Sequence, residues 1–369
     1  MIPPIPETLP PLASHIDGVW LKGDWHMHSR HSKDSSNNPQ SKIIGFAEKM
    51  GFDYLAITDH DVHVQGAVAQ HTWADPEFRS DTVLLFYGAE LTACRGHINI
   101  LSAEPYDHQR VFDHRDDRDW NILKLKRELG IHMSANHPST KNHYGYSFDL
   151  ADSVEIWNTS VWPKNVPGVR IWDDMLKSGR MLGARGGSDS HHGVPDTPEQ
   201  IAPLSVEATG NYVGTPTTWV FARSRSKQAL LEALVAGRAS VSSNPYNPRV
   251  ELWADHDGDG VMDMMMGDNV KPTGRPVTFE VRLVGGGISG ACYKVRVIKN
   301  RDDFGSFITD ADTRSVQFID TPATGERNYY RVEIEGPQAP YPEVPNSMAQ
   351  SQNMVALSNP LYFNYDPSF

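Results

Sequence analysis

Two cysteines in 369 residues, Cys94 and Cys292, are too few for a disulfide framework or a thiolate metal cage. No run approaches the roughly 18 apolar residues of a membrane-spanning helix, so no membrane partner is expected. The opening residues, MIPPIPETLPPL, lack the basic and apolar regions of a secretory leader. A cytoplasmic location is therefore expected, with a periplasmic or secreted one open if a leader has been removed. Basic residues are also scarce: 34 Lys and Arg stand against 46 Asp and Glu, a formal charge of −12. That balance disfavours broad contact with nucleic-acid phosphates. Internal repeats and low-complexity tracts are missing too. What the chain has in excess is histidine, 16 residues, which directs attention to metals.

From about Leu21 to Ala239, short apolar runs alternate with amphipathic segments, as in repeated β-α units of an α/β fold. Expected strands are Tyr54 to Thr58, Val83 to Glu90, His97 to Leu101, Ile131 to Ala135, Val154 to Trp157, Met181 to Ala184 and Trp219 to Ala222. Expected helices are Ser41 to Met50, Trp120 to Leu129, Val169 to Lys177 and Ser226 to Ala236, with Gly51, Gly130, Gly179 and Gly237 as left-handed stops. Past Asn244 to Pro248 the period changes to two: Val277, Phe279, Val281 and Leu283 alternate with polar residues, as do Tyr293, Val295 and Val297. The final third reads as a smaller antiparallel β-sandwich, which divides the chain into 1–245 and 246–369.

Histidines and carboxylates recur at the exits of the expected strands. His26 and His28 flank Met27, and residues two apart on a strand point the same way. His60 follows YLAIT, Glu90 ends LLFYGAE, His97 opens HINIL, His137 follows a strand in SANHPS, and Asp189 and His191 stand two apart in GGSDSHH. A single histidine is more often a packing or surface residue than a ligand. The joint placement is what points to a shared metal centre, because the C-terminal ends of parallel strands converge on one rim.

The order H-x-H, TDH, Glu, His, His before proline and D-x-H resembles the PHP superfamily, named for polymerase and histidinol phosphatase domains, over about residues 20 to 240. GVWLKGDWHMHSRHS, TDHD, ANHPS, VEIWN, LLEALVAGRASVSSNP and a trailing β domain ending ALSNPLYF are similar to its carbaryl-hydrolase-like branch. The resemblance implies a distorted (β/α)7 barrel, TIM-like, with metals at one end. It implies that His26, His28, Glu90 and Asp189 hold one ion and that Glu90, His97 and His137 hold a second. A third would use Asp34, His60 and His191; some relatives carry histidine where this chain has Asp34. Glu90, Asp189 and His191 are the expected catalytic residues. His31, His63, His132, His143 and His192 are alternates, and Asp24, Asp59, Asp61 and Asn136 are candidates for orienting the imidazoles.

Imidazole with carboxylate suits two or three zinc, manganese or iron ions better than calcium or magnesium. A hydroxide bridging two such ions is a nucleophile near neutral pH. Three divalent ions, offset by Asp34, Glu90, Asp189 and hydroxide, leave about +2, which a phosphate monoester dianion would match; two leave a near-neutral pocket that tolerates a carbamate, amide or carboxyl ester. The expected partner is a small-molecule ester, with Arg95, Lys141 and Arg185 beside the ligand motifs as candidate substrate contacts. A metal-stiffened binding protein without turnover is the third reading.

Three signals stand apart. GGGISG, from Gly285 to Gly290, has the spacing of a dinucleotide fingerprint but lies between strands, so a hairpin loop is expected. DHDGDGVMD offers calcium Asp255, Asp257, Asp259 and Asp263, but Met266 occupies the twelfth position, where a bidentate Glu belongs; a weak calcium site and a plain Asp/Gly turn both fit. The sequon at Asn158 follows an expected strand and is assigned no role.

Overall fold

The computed structural model describes residues 17–35, 38–139, 144–191, 212–343 and 353–367. The first part carries strands β1 (Val19–Met27), β2 (Tyr54–Ile57), β3 (Leu84–Ala93), β4 (Gly96–Ser102), β5 (His132–Ala135), β6 (Ser153–Asn158), β7 (Gly183–Gly187), β8 (Thr217–Ala222) and β9 (Ala239–Ser242). Its helices are α1 (Gln40–Lys49), α2 (His108–Asp113), α3 (Asp119–Leu129), α4 (Val166–Ser178) and α5 (Lys227–Val235). Gly51, Gly130, Gly179 and Gly237 all have positive φ where helices end, as glycine's missing Cβ allows. The Ser226 hydroxyl accepts from the Ala229 amide and starts α5.

Strands β1 to β7 are neighbours in sequence order within one mixed sheet. The pairs β1–β2, β2–β3, β5–β6 and β6–β7 are parallel. The expected strict β-α alternation fails at β4, which is antiparallel to both β3 and β5. The cause is the link from Ala93 to Gly96: two intervening residues allow a hairpin, whereas parallel neighbours need a crossover of about a dozen or more. Because β4 runs in reverse, its first residues, including His97, sit beside the last residues of β3. Past Gly187 the chain returns to β1, where the Asp189 amide donates to His26 O (2.8 Å) and the His28 amide to Ser190 O (2.9 Å). The exits of β1 and β7 are thereby joined.

The remaining strands are β10 (Arg249–Asp255), β11 (Met264–Met265), β12 (Asn269–Val270), β13 (Val277–Val284), β14 (Lys294–Lys299), β15 (Asp302–Ile308), β16 (Ser315–Asp320), β17 (Asn328–Glu335), β18 (Met354–Ser358) and β19 (Leu361–Phe363). Strands β11, β10, β13 and β16 form a separate antiparallel sheet. The alternation read in β13 is borne out by its burial, with Val277, Phe279, Val281 and Leu283 inward. They pack in one core with Val295, Val297, Val332, Ile334 and Phe363 from the other sheet. Pairing also crosses position 245: β18 bonds to β9, with Ala356 opposite Ser242 and Leu357 opposite Val241. Tyr329, Met354 and Tyr362 share a core with Trp157 and Trp172. The Gly285 to Gly290 loop is not a hairpin, since β13 pairs with β10 and β16 while β14 pairs with β15 and β17. It crosses between sheets. Among the described residues no helix is long and apolar enough to cross a membrane.

Candidate metal centre

The rim where β1, β2, β3 and β7 end and β4 begins gathers His26, His28, Asp34, His60, Glu90, His97, His137, Asp189 and His191. Glu90 lies at the middle, almost fully buried, with five imidazoles around its two oxygens. Its Oε1 is 3.1 Å from His97 Nδ1 and 3.4 Å from the Nε2 atoms of His26 and His137. Its Oε2 is 2.8 Å from His60 Nδ1 and 3.5 Å from His28 Nε2. Asp189 Oδ1 is 3.0 Å from His28 Nε2 and 3.3 Å from His26 Nε2. His60 Nε2 is 3.4 Å from both His191 Nε2 and Asp34 Oδ2.

Three overlapping sets have donor atoms within 4.8 Å of one another: His26, His28 and Asp189; His28, His60 and His191; and His60, Glu90 and His97. The sets share His28 and His60, so the grouping differs from the partition that the resemblance implied. His137 touches Glu90 from the side, and Asp34, with its side chain 46 % exposed, forms the outer edge.

The outward bonds of the rings fix which nitrogen faces the cluster. Ser32 Oγ donates to Asp59 Oδ1 (3.0 Å), so it accepts from His28 Nδ1 (3.2 Å). Thr92 Oγ1 donates to Glu90 O and accepts from His60 Nδ1 (2.7 Å). His191 Nδ1 donates to Asp189 O (2.8 Å) and His26 Nδ1 to Glu155 Oε1 (2.9 Å). The rings of His28, His191 and His26 therefore turn Nε2 inward, whereas His60 presents Nδ1 to Glu90 and Nε2 to His191 and Asp34. His26 Nε2 is buried and forms no hydrogen bond among the described residues.

Electrostatics follow from burial and crowding. Burial opposes charge on His26, but Glu155, Asp189 and Glu90 outweigh it and hold its pKa well above the ordinary value. His60 is likewise opposed by burial yet pushed up to about 10 by Glu90 and Asp34. His28 goes the other way, to about 4, because burial and the neighbouring His191 and His60 all disfavour a proton. Burial would raise Glu90 and Asp189, yet the imidazoles hold both well below the usual carboxylate range. Two of the residues sit in the left-handed backbone region, His137 at φ 29° and Asp189 at φ 51°. Non-glycine residues there are strained, and such strain concentrates at functional sites.

Other expected residues fall elsewhere. Arg185 does not face a substrate: it is fully buried and donates to Ser134 Oγ (2.7 Å), Glu155 Oε1 (2.9 Å) and Asn136 Oδ1 (2.6 Å). Arg95 is also engaged, bonded to Asp117 O (2.8 Å) and Asp119 and stacked 4.3 Å from the Tyr146 ring, which anchors the β3–β4 hairpin tip. Lys141, His143 and His192 lie outside the described residues. His31 bonds to Asp75, His132 is buried against Ser153, and His63 stands 3.8 Å from Asp34. Of the orienting candidates, Asp59 acts through Ser32, Asn136 donates to Glu90 Oε1 (2.8 Å), and Asp61 accepts from the Thr92 amide. Asp24 instead accepts the amides of His26, Ser188 and Gly214, and burial pushes its pKa up to about 6. Glu155 and Asn158 were missed; a lone acid within the apolar run SVEIWN was their one signal. In the acidic turn, Asp255, Asp257 and Asp259 cluster, whereas Asp263 turns away to His256.

No family model and no curated protein matches the chain. Among solved structures, it is similar to a two-domain protein from Bacteroides vulgatus ATCC 8482, described as containing a predicted PHP-like metal-dependent phosphoesterase. The identity is 16%, covering 96% of this chain and 98% of that one, with a TM-score of 0.44. So remote a likeness assigns no activity to this chain.

Proposed function

We propose that the chain is a metal-dependent hydrolase whose substrate is a small phosphate ester. The observation that carries this reading is the spacing of the inward donors. Two ligands about 2.1 Å from one ion, at tetrahedral or octahedral angles, stand roughly 3.0 to 3.4 Å apart. The separations of His28 from Asp189 (3.0 Å), His26 from Asp189 (3.3 Å) and His60 from His191 (3.4 Å) fall in that range. The unpartnered, buried Nε2 of His26 fits the same use. Mixed imidazole and carboxylate donors favour zinc, manganese or iron.

His26, His28 and Asp189 would hold one ion, His60, Glu90 and His97 another, and His28 or Asp34 with His60 and His191 a third. Divalent ions in these places supply Lewis acidity and bring the pKa of coordinated water toward neutrality. The residues do the rest. Ser32, Glu155 and the Asp189 carbonyl hold the rings of His28, His26 and His191 so that each neutral imidazole turns its Nε2 lone pair inward, and little reorganisation accompanies binding. Counted with one hydroxide, Asp34, Glu90 and Asp189 would leave three divalent ions with an excess of about two positive charges, which suits a phosphate dianion. Two ions would leave a near-neutral pocket, which suits a neutral carbamate or carboxyl ester, and this is the second reading.

The test is turnover after reconstitution with zinc or manganese, on aryl phosphate mono- and diesters, an aryl carbamate and a carboxyl ester, alongside metal analysis. Phosphate ester hydrolysis with three bound ions is expected. Preference for the carbamate with two ions would replace the reading, and inertness toward every substrate would end it.

A further inference from the structure

Glu155 is the acceptor for four donors. His26 Nδ1 and Arg185 Nη1 each lie 2.9 Å from its Oε1; the His137 amide and Asn158 Nδ2 each lie 3.1 Å from its Oε2. The residue is fully buried, so no solvent replaces any of these. Only an ionised carboxylate offers acceptors at both ends. Asn158 also donates to Asp189 Oδ2 (3.2 Å), which fixes its amide: with its oxygen turned that way it would face two anions. On the far side, Arg185 Nη2 donates to Asn136 Oδ1 and Asn136 Nδ2 donates to Glu90 Oε1. One guanidinium thus reaches His26 through Glu155 and Glu90 through Asn136.

The backbone is built around this contact. A Cβ at Gly187 would stand 2.3 Å from Glu155 Oε1 and 2.5 Å from His26 Cβ, so only glycine admits the carboxylate beneath the ring. Arg185 also cancels the charge of Glu155, which leaves the positive excess at the rim unaltered.

We infer that Glu155 and Arg185 are a positioning pair that locks His26 as the Nδ1–H tautomer and ties the His26 and Glu90 ends of the centre into one unit. The inference rests on the metal-centre reading for its consequence, tighter ion binding, but not for the tautomer. Glutamine at 155 must set an NH2 group against two donors, either His26 and Arg185 or His137 and Asn158. In the first case His26 becomes an acceptor at Nδ1, its proton moves to Nε2, and the inward lone pair is lost.

The experiment compares wild type with E155Q in two measurements: zinc affinity and stoichiometry by chelator competition, and ring nitrogen-15 shifts of the metal-free, histidine-labelled protein followed up to a pH at which the His26 ring is neutral, with H26Q assigning the signal. The expected result is a neutral wild-type ring protonated at Nδ1 alone, and in E155Q a shift of the neutral ring toward Nε2–H with zinc held about 10- to 100-fold more weakly. Equal affinity in E155Q overturns the inference, and so does weaker affinity with an unchanged tautomer, which would mean a general loss of structure. R185K, which keeps the charge but not the fork to Asn136, is expected to lose about tenfold in zinc affinity. If E155Q does not fold, the wild-type ring decides alone, and a neutral ring with its proton on Nε2 overturns the inference. Wild type that takes up no zinc while showing Nδ1–H sinks the metal reading and leaves the tautomer lock standing.

Discussion

Two clusters of charge are buried in this molecule, and they are finished differently. Where α4 meets β17, Asp173 accepts from Arg331 Nε (2.9 Å) and Nη2 (2.7 Å) and from the Tyr329 hydroxyl (2.8 Å). The third arm of Arg331 reaches Glu333 Oε1 (2.7 Å), and Glu333 also holds Arg296. Every arm of Arg331 meets an acceptor, and of the named donors Arg296 Nε forms no hydrogen bond among the described residues. At the rim, by contrast, His26 and His28 aim Nε2 at Asp189, and the Nε2 atoms of His60 and His191 face each other. With the rings neutral, as a bound cation requires, acceptors there meet acceptors. A closed cluster holds the two parts of the chain together; an open one is complete only with a cation among its lone pairs.

The comparison breaks most visibly at Glu90. E90Q is expected to lower turnover by more than the ~10- to 100-fold that an outer partner's loss costs, and to reduce bound zinc. Turnover within tenfold of wild type would remove Glu90 from the centre. Next, D173A leaves Arg331 buried without its partner, at an expected cost of about 3–5 kcal/mol in denaturant unfolding, with zinc stoichiometry unchanged. Lost zinc sites in folded D173A would show that the clusters are not separate.

Acidity sharpens the contrast. In the metal-free protein, folded His60 titrates at about 10, above its unfolded value near 6.5, so its contribution is full below the lower value. Stability should drain as pH rises from about 6.5 toward about 10, and His26 acts in the same sense. In the Asp173–Arg331 cluster, Tyr329 and Arg331 are both pushed above that window. Zinc saturation should flatten the profile, and zinc affinity should rise with pH as protons are displaced. A flat metal-free profile would mean that the rings do not carry those protons.

The smallest effect is expected in the exposed acidic turn. D257N should shift unfolding by less than about 0.5 kcal/mol without calcium, because its exposed carboxylate accepts from the Asp259 amide two residues on and closes a local turn. A calcium-dependent rise in melting temperature that D257N abolishes would place the turn with the open cluster.

Much of the rim was legible. His26, His28, His60, Glu90, Asp189 and His191 each carried the signal of a polar residue at a strand exit, His97 that of a histidine opening a strand, and the structure brings all seven together. Helix limits also lie close to expectation, as with Trp120 to Leu129 against α3. Glu155 escaped because β6 is buried on both faces and shows no alternation that would mark an inward acid. Arg185 was misread for the related reason that adjacency in sequence does not say which face of β7 a side chain takes. The reversal at β4 was encoded in the short link before Gly96, but the surrounding β-α rhythm masked it.

The β3–β4 hairpin joins two donors through its register: Thr92 lies opposite His97 and Glu90 opposite Asn99. A one-residue slip would send Glu90 and His97 to opposite faces, and a two-residue slip would draw them apart along the ladder. Surface turns ordinarily tolerate added or deleted residues. This one, with Arg95 fastened at its tip, fixes the bite between two donors, so its length should resist change as a core residue's volume does.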